Sequence, residues 1–137
     1  MEGCADPFCR RTYPWGAEDK QLLSYYRGMI AMRNKNAVLR TGECKFIAPC
    51  DYVLGVVRTI SGGVDALGRK EEDACAVTLI NRSARTADIY LTTQDLMGAT
   101  KIISDRDEMH EARDGAFSIK LAGMHGVTYF VHKDEIV

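Results

Sequence analysis

The hydrophobic pattern of this chain changes period once, near residue 36, and that change predicts one helix followed by a β domain. Leu22, Leu23, Tyr26, Met29, Ile30 and Arg33 recur at the spacing of one broad helical face, which predicts a helix over residues 18–34. Glu18 and Asp19 fall in its first turn and Arg27 and Arg33 further on, the order that a helix dipole favours. Asn34-Lys35-Asn36 supplies polar residues to end it.

Beyond residue 36 no helical period returns. Ala37-Val38-Leu39-Arg40 reads as a short strand ended by Thr41-Gly42, and Lys45-Phe46-Ile47 as another that Pro49 interrupts. Asp51 to Ile60 reads as a strand, with Gly55 marking a bulge. Ser61 to Asp73 is polar and charged and is expected to be a solvated, mobile loop. Cys75 to Ile80, Thr86 to Leu91, Ala99 to Ile103, Phe117 to Leu121 and Val127 to His132 follow as strands. Short strands punctuated by turn signals predict an antiparallel β-sandwich of about seven or eight strands. The fold class is therefore mainly β, with one N-terminal α-helix.

Composition narrows the function classes. A net charge of −1 gives no electrostatic case for nucleic acid or an anionic membrane. No apolar run approaches the roughly 20 residues that span a bilayer. Met1-Glu2-Gly3-Cys4 lacks the basic and apolar regions of a signal peptide. Cys4, Cys9, Cys44, Cys50 and Cys75 match no zinc spacing and are odd in number, which favours reduced thiols and a cytoplasmic location. Asp105, Asp107, Glu108 and Glu111, beside His110 and Arg113, read as a solvated turn rather than an acid/base pair. They also lack calcium-loop spacing, and His125 and His132 have no third ligand at zinc spacing. No metal and no cofactor is therefore expected.

The run from Asp6 to Trp15 stands apart. It packs a carboxylate, two arginines, two prolines and two large aromatic rings ahead of the helix. Pro7 and Pro14 stiffen it, and linkers favour Gly, Ser and Lys instead. It reads as a ligand-facing loop. Tyr13 and Trp15 either stack on a ligand or anchor the loop to the helix start, with anchoring the better reading.

The chain resembles the alpha-amylase superfamily of glycoside hydrolases. The likeness is carried by Asp6, Pro7, Arg10, Arg11, Pro14, Trp15, Glu18, Asp19, Leu22, Tyr25, Tyr26 and Arg27, then Arg33, Ala37, Val38, Leu39, Arg40 and Gly42. The nearest branch is that of neopullulanase, cyclomaltodextrinase and maltogenic amylase. The likeness is tightest over residues 6–42; beyond them only the strand pattern and Asp114-Gly115 match. The resemblance implies that residues 1–36 are the end of a (β/α)8 barrel, its last loop and helix, and that 37–137 are a C-terminal sandwich packed against the barrel. It implies an α-glucan substrate and places the three catalytic acids before residue 1, so that the chain holds no catalytic residue. Asp6 and Arg10 match positions that hydrogen-bond glucose units in related enzymes; the alternative is that they pair with each other. The expected partners are the missing barrel, an α-glucan in the full-length enzyme, and a second copy through the exposed helix face. Two other readings are a carbohydrate-binding module and a free-standing interaction domain. A binding module needs aligned exposed rings, whereas Phe46, Tyr52, Tyr90, Phe117, Tyr129 and Phe130 mostly occupy core-like positions.

Overall fold

The computed structural model describes residues 12–131. The chain divides into two compact units, Met1–Lys35 and Asn36–Val137.

In the first unit, helix α1 runs Lys20–Lys35. It starts later than the charge pattern suggests, and neither acid lies in its first turn. Asp19 instead caps it: its Oδ1 accepts the Leu22 N–H at 3.0 Å, and its carbonyl accepts the Leu23 N–H at 2.9 Å. A short carboxylate satisfies an orphaned N–H better from the cap than from within the helix. Glu18 folds back onto the Gly16 N–H at 3.0 Å. Arg33 and Lys35 sit in the last turn, at the negative end of the dipole. No residue of α1 is buried, and Leu22, Tyr25, Tyr26 and Ile30 are all more than half exposed.

The second unit opens on a one-turn helix, α2 (Ala37–Thr41), where a strand was expected. Asn36 is extended ahead of it, and the Gly42 N–H closes it on the Val38 carbonyl at 3.2 Å. The adjacent residues Val38 and Leu39 are both buried, so tertiary burial overrides a β-leaning sequence. The strands are β1 (Glu43–Cys50), β2 (Val53–Ile60), β3 (Ala74–Asn81), β4 (Ala87–Thr92), β5 (Lys101–Ser104), β6 (Met109–Glu111), β7 (Ala116–Leu121) and β8 (Gly126–Val131). They form a six-stranded antiparallel sheet, β1-β2-β3-β8-β5-β6, and a two-stranded sheet, β4-β7. A short 3₁₀ turn, Thr93–Leu96, links β4 to β5.

Alternation along the strands builds the core between the sheets. Val53, Val57, Val77, Leu79, Tyr129 and Val131 from the large sheet share one buried cluster with Ile89, Leu91, Phe117, Ile119 and Leu121 from the small one. Pro49 does not end β1; it sits where the β1–β2 register shifts, between Ile47 and Cys50, on an edge strand where a missing N–H is tolerated. Gly55 marks no bulge, because it keeps register with both Ile47 and Leu79. It is glycine because Ile47 lies across it: a Cβ there would collide with Ile47 Cγ1 and lie 2.9 Å from Cδ1.

The polar loop 61–73 is held at three points rather than loose. Asp73 accepts the Gly62 and Gly63 N–H groups at 3.1 and 2.6 Å. Asp65 is buried, and its Oδ1 accepts the Leu67 and Arg69 N–H groups at 2.9 and 2.8 Å. The Ala66 N–H then bonds the Thr41 carbonyl at 3.0 Å, latching the loop to α2. The turn into β7 uses Asp114 and Gly115, both at positive φ, with reciprocal bonds between Arg113 and Ala116.

Candidate functional site

Asp6 and Arg10, the residues assigned to sugar contact, lie outside the described residues, as do Cys4, Cys9 and His132. Of the loop that carries them, the C-terminal end is described. The Trp15 N–H meets the Tyr13 carbonyl at 2.9 Å and the Ala17 N–H meets the Pro14 carbonyl at 3.0 Å, forming a tight turn. Gly16 has φ +80°, and the Glu18 carboxylate receives its N–H. Trp15 is 84% exposed and meets Tyr13 edge-on, with ring centroids 4.8 Å apart. The two rings thus pack on each other, and Trp15 stays largely exposed. A shallow open groove lies over Ser24 and Gly28 on α1, flanked by Lys20, Gln21, Tyr25 and Met29. It belongs to one helix surface and carries no convergent polar set.

The carboxylates after β5 form a turn built on Ser104. Its Oγ accepts the Arg106 and Glu108 N–H groups at 3.2 and 3.1 Å, and Asp107 takes φ 63°. Asp105 Oδ2 accepts the Thr128 N–H at 3.3 Å. Asp105, Asp107 and Glu108 are exposed. The sequence reading missed that Met109–Glu111 then form β6. Three residues are too few for a period-2 pattern to register. His110 on β6 lies edge-on to Tyr129 at 5.1 Å. Burial first, then the Glu108 and Asp105 charges, push the Tyr129 phenol up.

Among the described residues, no three His, Cys, Asp or Glu side chains converge as metal ligands. Cys44 is exposed, Cys50 half-buried and Cys75 buried, and all three are free thiols. Burial pushes the Cys75 thiol up to about 12, which leaves it unreactive at neutral pH.

The aromatic residues divide differently from expectation. Phe46 (69%), Tyr52 (38%) and Tyr90 (70%) are exposed, while Phe117 and Tyr129 are buried. Phe46 alternates with core-facing Ile47, and Tyr90 lies between buried Ile89 and Leu91. The two most exposed rings of the β unit, Phe46 and Tyr90, therefore point off opposite faces of the sandwich. They make no aligned platform of the kind a sugar-binding module presents.

No family model matches the chain. It is 32% identical over 130 residues to an amylopullulanase from Thermoanaerobacterium saccharolyticum, a match that covers 93% of this chain and 10% of that enzyme. Against a cyclomaltodextrinase from Geobacillus thermopakistaniensis it is 31% identical over 91 residues, or 65% of this chain and 14% of the relative. Its fold matches an alpha-amylase from Geobacillus thermoleovorans, solved with acarbose, at a TM-score of 0.79 and 19% identity, over 97% of this chain and 27% of that one. The chain thus spans about a tenth of the first curated relative's length. The resemblance read from residues 6–42 is borne out at the level of relatives and fold, over a short part of each enzyme.

Proposed function

We infer from this kinship that the chain is a domain-sized part of an alpha-amylase-family enzyme that hydrolyses α-glucans, and that its own role is structural. The observation that carries this is the match of 93% of the chain to only 10% of an amylopullulanase. Residues 1–36 are read as the last loop and helix of a catalytic barrel, and 37–137 as the C-terminal β domain. The amylase of like fold was solved with acarbose, which supports a glucan-type ligand for the parent enzyme. In that enzyme the Asp6 carboxylate and Arg10 guanidinium would hold sugar hydroxyls, since each offers two hydrogen-bonding points. The three catalytic acids would lie in the barrel and not in this chain. Unpaired Cys44, Cys50 and Cys75 support a cytoplasmic setting. Among the described residues no helix is long and apolar enough to cross a membrane. The exposed apolar residues of α1 favour self-association of the isolated chain.

The test is an assay of the purified chain, and of the longer protein that contains it, on maltodextrin, pullulan and cyclodextrin. The expected result is turnover by the longer protein alone. Hydrolysis by the 137-residue chain would overturn the reading.

A further inference from the structure

One charged side chain among the described residues is buried: Asp65, at 6% exposed. A carboxylate leaves water at a cost that its hydrogen bonds must offset, so its partners show what it holds. Oδ1 accepts the Leu67 and Arg69 N–H groups at 2.9 and 2.8 Å. The main chain closes the same turn, with the Asp65 N–H on the Arg69 carbonyl at 2.9 Å and the Gly68 N–H on the Asp65 carbonyl at 3.0 Å. Residues 65–69 are thus folded around one carboxylate. Its other oxygen, Oδ2, is buried with no hydrogen-bond partner among the described residues, a cost held in the closed turn.

The turn reaches α2 through the residue next to Asp65. The Ala66 N–H bonds the Thr41 carbonyl at 3.0 Å. The Thr41 hydroxyl stands close enough to the carboxylate to favour its charged form, and its own bond to the Ala37 carbonyl is long, 3.4 Å. α2 has five residues, too few to be helical alone. Ala66 lies between Asp65 and Leu67, so its N–H keeps its aim while the carboxylate holds the turn. Among the charged groups around it, Arg69 on the loop adds attraction. Arg40 on α2 is exposed, and Arg58 on β2 has its guanidinium on the Gly42 carbonyl at 3.2 Å. Asp73 is committed to the Gly62 and Gly63 N–H groups.

We propose that Asp65 is an acid-released catch on the entrance to the β unit. Ionised, it holds the 65–69 turn against Thr41 and keeps α2 helical. Protonated, it frees the turn and α2 together while the core between the sheets stays folded. A proton on Oδ2 puts a hydroxyl in a buried spot and turns two charge-assisted bonds into neutral ones about half as strong. The Arg69 N–H first, then the Thr41 hydroxyl, the Leu67 N–H and the Arg69 charge, hold the carboxyl below its usual range against the opposing effect of burial. A lowered folded value keeps the catch closed above the unfolded carboxylate range, about pH 4, and opens it as pH falls through the folded value. The main core cluster contains no residue of the turn or of α2, so the opening is local.

Amide exchange in the 137-residue chain tests it, followed by NMR from about pH 6 to about pH 3 and corrected for intrinsic rates. Ala66, Leu67 and Arg69 report the turn, and Gly42 reports α2 through its bond to the Val38 carbonyl. Val77 and Leu79 report the core. Protection at the four catch amides should fall at least roughly tenfold with one midpoint, that of the Asp65 carboxyl carbon shift, while Val77 and Leu79 keep theirs. Asp65→Asn should leave the four poorly protected already at the upper pH, with no further response. Asp73→Asn changes the loop's other anchor and should leave the Gly42 response in place. Different midpoints at Leu67 and Gly42 overturn the proposal, as does a Gly42 response that survives Asp65→Asn or is lost in Asp73→Asn. Parallel loss at Val77 and Leu79 also overturns it, by making the event global. Should Asp65→Asn fail to fold, the midpoints of the unsubstituted chain decide alone.

Discussion

Single residues carry more of the β unit's definition than their types suggest. Asn81 is 1% exposed and is the hub between two chain segments. Its Nδ2 donates to the carbonyls of Arg85 (2.8 Å), Leu121 (3.1 Å) and Ala122 (3.1 Å), and its Oδ1 accepts the N–H and hydroxyl of Ser83. Asn81→Ala would strand several of these groups and should cost about 2–4 kcal/mol, read as a lower urea midpoint at unchanged slope. Gly55 offers a cleaner test, because its tightest contacts come from one neighbour, Ile47, with Leu79 Cδ2 next at 3.2 Å. Gly55→Ala should cost about 1–3 kcal/mol by overpacking against Ile47, and Ile47→Ala in the same chain should remove most of that penalty. Additive losses in the double-mutant cycle would deny the clash. Asp65 is held below the usual carboxylate range, first by the Arg69 N–H and further by Thr41 and Leu67. Asp95 is lowered by the Thr92 hydroxyl and then by Lys45. A depressed folded value stabilises above the unfolded pKa and is lost as pH falls through the folded one. Stability should therefore fall below about pH 4, and Asp65→Asn should flatten that acid limb in pH-dependent unfolding.

At the scale of elements, α1 and α2 show opposite balances of local and tertiary forces. α1 has sixteen residues, a cap and a basic last turn, and it forms with no buried residue. Local rules suffice for it, which is why its sequence announced it. Gly28, in its middle, has open space where a methyl group would stand. Gly28→Ala should stabilise α1 by about 1 kcal/mol and slow amide exchange across residues 24–32 roughly fivefold. α2 has five residues, and its short β-branched sequence reads as a strand. Only burial of Val38 and Leu39 and the latch from Ala66 to Thr41 make it helical, and no local pattern reports those contacts. β6 escaped notice for a related reason. Its three residues are held by cross-strand partners Lys101, Ile102 and Ile103 rather than by any pattern of their own.

For the whole molecule, the central expectation is a folded domain without catalysis. The main core is shared between the two sheets, so the β unit should unfold as one cooperative transition. The site expectation belongs to the parent. Asp6→Ala or Arg10→Ala in the longer protein should lower kcat/KM on maltodextrin about 10- to 100-fold, with thermal stability little changed. Unaltered kcat/KM would leave the two residues as a mutual pair that shapes the loop. In the short chain the same substitutions should change no activity, since none is expected.

The sequence by itself determined the one long helix ahead of a β unit, the sandwich class and the family likeness. Those rest on periodicity and on residue types at local spacing, which survive without knowledge of the fold. Tertiary structure decided which strands share a sheet, why position 55 is glycine, how the 61–73 loop is held and that Ala37–Thr41 is helical. Each depends on groups brought together from distant parts of the chain, as Ile47 is to Gly55 and Asn81 is to Leu121. That the exposed rings of Phe46 and Tyr90 leave opposite faces of the sandwich also appeared only there. Alternation along one strand says which residues share a side, but only strand pairing says what surface those sides compose.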